Sequence, residues 1–248
     1  MKLKLLQKLN SNFLMFMRIK KLKKKYSFTD ENLKKIQEAV AMAEKNTDGE
    51  IALAVTPSCN SYGFWELLFA VVMGLITSAC LIPFSSNIKS LLDWIYWDTK
   101  DYHFSFWLLF TVFVSILIFY LLANIPFIDR LIIPKRVRNR TVYNKAIKTF
   151  VHSGVYKTKH NTGILLFFSI FERKIQIIAD VGIASKIPHE TWKDLASSLA
   201  EGFKSKDPTQ IIINSIVECG ELLAKEFPCQ KENPNELPDG LVILGGGE

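Results

Sequence analysis

Apolar positions follow two regimes along this chain. Across residues 64–84 and 104–126 they are nearly continuous, with no charge between Leu67 and Ile88 and none between Phe104 and Ile128. At about 1.5 Å per residue each stretch forms a helix of roughly 30 Å, the thickness of a bilayer's hydrocarbon core, so both are predicted to span a membrane. Elsewhere the apolar positions are periodic. Leu33, Ile36, Val40 and Ala43 recur at helical spacing, with Thr29 or Asp30 as the cap, which predicts a helix over 29–46. A Thr47-Asp48-Gly49 turn leads to a strand over 50–56, closed by Pro57. After the second span come a helix (about 135–152), strands over 163–169 and 174–179 joined at Glu172-Arg173, and helices over about 189–204 and 208–227, the last capped by Asp207.

The strand over 50–56 has no partner before the first span, and one strand is not stable alone. It must therefore pair with strands beyond the second span. The fold class expected is α/β: a small αβα sandwich with a mixed sheet, interrupted by an inserted two-helix transmembrane hairpin. The organisation expected is a basic extension (1–25), a first domain part (26–63), the hairpin (64–128, spans 64–84 and 104–126, outer loop 85–103), a second domain part (129–228) and a tail (229–248). An ordinary crossover makes strands 50–56 and 163–169 parallel, with 174–179 antiparallel to both. Asp48, Glu50, His160 and Asp180 then share one rim, and the turn Glu172-Arg173-Lys174 lies at the other, from which the chain enters the bilayer.

Charge refines this picture. The net +7 is concentrated at the start: residues 1–25 hold nine Lys/Arg and no acid, leaving 22 basic against 24 acidic residues elsewhere. A nucleic-acid-binding face is therefore not expected, because the positive charge is confined to a tail. That tail reads as either a basic amphipathic helix on anionic lipid or an unstructured extension, and not as a secretory signal. Arg130, Lys135, Arg136, Arg138 and Arg140 follow the second span, opposed only by Asp129. The bias places both termini in the cytoplasm and predicts a multi-pass protein of the cell's inner membrane. Trp94, Tyr96, Trp97 and Tyr102 read as an interfacial aromatic belt, and Glu66 as a carboxylate snorkelling to the headgroups.

Candidate chemistry is sparse. The carboxylates of Asp48, Glu50 and Asp180 could hold Ca²⁺ or Mg²⁺, which take oxygen ligands; the plainer reading makes Asp48 and Asp180 turn and cap residues. Cys59, Cys80, Cys219 and Cys229 lack paired spacing, and so do His103, His152, His160 and His189. Ser169 lacks a glycine-flanked elbow, Gly245-Gly246-Gly247 precede no helix, and Trp192 reads as core.

Gly49-Glu50-Ile51, Thr162-Gly163-Ile164-Leu165-Leu166-Phe167, Glu172-Arg173-Lys174-Ile175, Ala179-Asp180-Val181-Gly182-Ile183, Trp192 and Asn235-Glu236-Leu237-Pro238-Asp239 together resemble the TPM domain family. The resemblance implies an αβα sandwich tethered to a membrane, calcium binding in some members, and an acid phosphatase activity proposed for one relative. It points to Asp180 first and Glu50 second as functional residues. This chain departs from many relatives in lacking a signal peptide and in having the spans inside the domain. Two functions are expected from these features: a non-catalytic accessory module or scaffold that binds a protein partner, or a divalent-cation-dependent phosphatase using the Asp180 rim.

Overall fold

The computed structural model describes residues 29–96, 101–201, 208–229, 236–237 and 240–244. The basic extension 1–25, Trp97, Asp207 and the terminal glycines lie outside them. Helix α1 (Asp30–Glu44) begins where the Thr29 hydroxyl accepts the Asn32 N–H, and it buries Ile36 and Val40. The turn after it is fixed by Thr47. Its hydroxyl donates to the Phe227 carbonyl at 2.7 Å and accepts the Gly49 N–H at 3.1 Å, which aims the chain into β1 (Glu50–Thr56).

Next come α2 (Gly63–Leu81), a 3₁₀ turn (Ile82–Phe84), α3 (Ser85–Tyr96), α4 (Asp101–Ala123) and α5 (Pro126–Ile132). Residues 62–135 form one compact unit, and the segments on either side of it form a second. Within the first unit α2 and α4 pack closely. Gly74 provides the approach, since a Cβ there would lie 2.5 Å from Ile116, and Phe69 meets Phe119 edge to face. Gly63–Phe84 and Ser105–Ala123 are long and apolar enough to cross a membrane. The stretch expected to be a loop (85–103) contains α3, and α4 starts three residues earlier than the predicted span.

The second unit contains the sheet. Helix α6 (Lys135–Ser153) leads through a 3₁₀ turn (Val155–Lys157) to β2 (Gly163–Ser169), β3 (Lys174–Ala179), a one-turn helix α7 (Val181–Ala184), α8 (His189–Glu201), α9 (Pro208–Glu226) and β4 (Leu241–Ile243). The strand order is β3-β2-β1-β4. β1 runs parallel to β2, Glu50 opposite Gly163 and Thr56 opposite Ser169, and β3 is antiparallel to β2. The connection from β1 to β2 is thus an ordinary parallel crossover, as expected. β4 was not anticipated: three residues of the presumed tail pair parallel to β1, Leu53 opposite Leu241.

Alternation along β1 sorts its side chains by size. Ile51, Leu53 and Val55 face α1, α8 and α9, where Trp192, Ile212, Ile216 and Leu223 complete the larger core. Ala52 and Ala54 face the other side, where Leu165 and Phe167 of β2 pack with Val142, Ala146 and Phe150 of α6. All seven residues of β2 are buried, as a strand covered on both faces requires.

Candidate functional site

Of the residues predicted to share a rim, Glu50 and Asp180 lie beside one strand position. The Asp180 N–H donates to the Gly163 carbonyl at 2.9 Å, and Glu50 is the register partner of Gly163, so Glu50 and Asp180 flank this glycine in one row. The row has no room for a side chain at its centre. A Cβ on Gly163 would lie 2.2 Å from the Val155 carbonyl oxygen, so the Val155 backbone sits directly on the strand there.

The carboxylates hold backbone groups. Glu50, 2% exposed, accepts the Glu236 and Leu237 N–H groups through Oε2, each at 3.3 Å, and so pins the chain that leads to β4. Asp180 caps α7, its Oδ1 accepting the Val181 N–H at 2.7 Å, while its Oδ2 is buried without a hydrogen-bond partner. Asp48 contributes its backbone, accepting the Thr162 hydroxyl and donating to Phe227. Among the described residues, no three His, Cys, Asp or Glu side chains converge as a metal site.

At the opposite rim, Glu172 of the Glu172-Arg173-Lys174 turn points inward. It is 2% exposed; its Oε1 accepts the Cys59 N–H at 2.9 Å, its Oε2 accepts the Ser169 hydroxyl, and the Cys59 thiol donates to Ser169 Oγ at 3.3 Å. Only Arg173 is fully outside, in a left-handed conformation with φ of 50°, and Lys174 is half-buried. Burial first, and then the Glu172 charge, push the Cys59 thiol up to about 12, against a smaller lowering by the Ser169 hydrogen bond and Lys145. A thiol held protonated is no nucleophile. The Cys59–Ser169–Glu172 group therefore fastens the 57–61 loop to the β2–β3 turn. Sequence reading missed it because the partners lie more than a hundred residues apart.

A second feature escaped the sequence reading. Beside α6, over β1 and β4, lies an open groove of about 880 Å³. Ala52, Ala54, Leu165, Val242 and Leu244 form its floor, and Thr141, Lys145, Lys148 and His152 follow one face of α6 as its wall. The signal was present in β1, where large residues alternate with alanines: the alanines leave the depth.

Residues 130–221 match the TPM domain. The matched stretch holds β2, β3 and the helices from α6 to most of α9, whereas β1 and β4 of the sheet lie outside it. The NMR structure of the BA42 protein from the psychrophilic bacterium Bizionia argentinensis has a similar fold. It aligns over 87% of this chain and 94% of its own, with a TM-score of 0.50 and 18% identity. No curated protein matches the chain. The motif residues of the TPM domain have structural work here: Asp180 caps, Gly163 and Gly182 admit neighbouring backbone, and Glu172 holds a loop.

Proposed function

We propose that this chain is an integral protein of the inner membrane, with two spans and both termini cytoplasmic, whose TPM domain is a non-catalytic accessory module binding a protein partner. The observation that carries the reading is the use of the chemistry-bearing side chains. Glu50, Asp180, Glu172, Ser169 and Cys59 all hydrogen-bond within the fold, and none pairs as nucleophile with base in an open cleft. The bilayer supports the anchor: Phe106, Leu109, Phe113 and Leu121 of α4 are each more than 60% exposed, a costly arrangement in water and an ordinary one in lipid.

The partner's place is the outer edge of β4, with which no strand pairs among the described residues. The Leu244 N–H donates to Val55 of β1, so by alternation the Ile243 N–H faces away from the sheet, ready for an added strand. Capture of partners by the detergent-solubilised full chain tests the reading. A specific partner should be retained by Asp180→Asn and lost with Ile243→Pro; recovery of none counts against it.

A second reading is kept for one atom. The unpartnered Asp180 Oδ2 favours a divalent cation at that rim and phosphate-ester hydrolysis with it. A melting-temperature scan with Ca²⁺, Mg²⁺ and EDTA decides, because a ligand specific to the native state raises the midpoint. A flat response and no phosphatase activity remove this reading.

A further inference from the structure

We infer that the groove beside α6 binds a long-chain carboxylate, a single alkyl chain with an anionic head. Its volume of about 880 Å³ lies within the roughly 300–1,000 Å³ of small-molecule sites. The floor favours an alkyl chain over a peptide. β1 pairs with β2 over Glu50–Thr56 and with β4 over Leu53–Val55, so the floor presents side chains such as Ala52, Ala54 and Leu165. A peptide laid there would leave buried amides without partners, whereas an alkyl chain has no such groups.

The wall selects the head. Lys145, Lys148 and His152 line the groove from α6 at spacings of three and four, with Thr141, Asn144 and Thr149 as neutral donors. None of the described lining residues is acidic. The nearby Glu236 carboxylate accepts the Lys159 N–H, and Lys148 and His152 are exposed to the groove. Positive charge above an apolar floor fits a carboxylate whose chain lies along β1. The inference does not depend on the partner reading, which concerns the β4 edge.

The experiment uses the full chain in phosphatidylcholine nanodiscs and a diazirine-bearing palmitate, with adducts mapped by mass spectrometry. Adducts should concentrate on 141–153 and 241–244, and unlabelled palmitate should displace them while hexadecanol, with the same chain and no charge, should not. Lys148→Ala with His152→Ala, both on exposed positions, should lower groove adducts at least tenfold without shifting the melting temperature. Ala52→Leu, which fills the floor, should lower them similarly. Adducts confined to α2 and α4, equal displacement by hexadecanol, or unchanged labelling of the double variant would each overturn the inference.

Discussion

Cys59 and Cys219 are both buried thiols whose proton is held by the fold, Cys59 near a pKa of about 12 and Cys219 also raised, chiefly by burial. The unfolded chain releases those protons near the ordinary thiol value of 9.0, earlier than the native state does. Between pH 9 and 12 the unfolded state therefore binds fewer protons, and stability must fall as pH rises, by up to about 1.4 kcal/mol per pH unit for each such group. Denaturant titrations from pH 8 to 11 should show that slope, and it should flatten in the Cys59→Ser variant. Water-soluble thiol reagents should modify exposed Cys229 rapidly and leave Cys59 and Cys219 untouched until unfolding. Glu172 gives a second residue-scale test. Removing its carboxylate orphans the buried Cys59 N–H and Ser169 hydroxyl, so Glu172→Ala should cost about 2–4 kcal/mol in urea unfolding, and Glu172→Gln, which keeps acceptor and shape, clearly less.

Gly163 shows how one position joins two elements. An alanine there would drive its Cβ to 2.2 Å from the Val155 carbonyl, and backbone cannot yield as a side-chain tip does. Gly163→Ala should destabilise the domain by about 1–3 kcal/mol, read by the same titration, and should loosen the 3₁₀ turn in hydrogen exchange. At this scale the sequence was informative wherever an element carried its own periodicity. The strands Glu50–Thr56, Gly163–Ser169 and Lys174–Ala179 fall where alternation and flanking turns placed them, and the helix from Asp30 has the cap that Thr29 promised. It failed where pairing, not pattern, makes the element. Leu241–Ile243 is three residues long and becomes a strand only because β1, nearly 190 positions earlier, offers an edge. Ser85–Tyr96 mixes polar and apolar residues too evenly for a helix to be read from it. The groove was illegible for the same reason, since the alanines of β1 and the lysines of α6 meet only in three dimensions.

For the molecule as a whole, the sheet is assembled from three distant parts of the chain, and the last of them is held by Glu50. Ending the chain at residue 229 should leave β1 as an edge strand. Backbone amides of β1 should then exchange far faster in a hydrogen-exchange measurement while those of β3 change little; equal protection of β1 would show that β4 contributes nothing. The order of the parts also constrains how the protein is made. Roughly a hundred residues separate the end of β1 from its first neighbour, β2. At about 5–20 residues per second of synthesis, a nascent β1 waits on the order of ten seconds, bare on both sides, before a neighbour leaves the ribosome. During that interval Ile51, Leu53 and Val55 are an adhesive ribbon beside whatever handles the two apolar helices. Slowing translation downstream of the hairpin should therefore endanger the nascent molecule more than slowing it anywhere else.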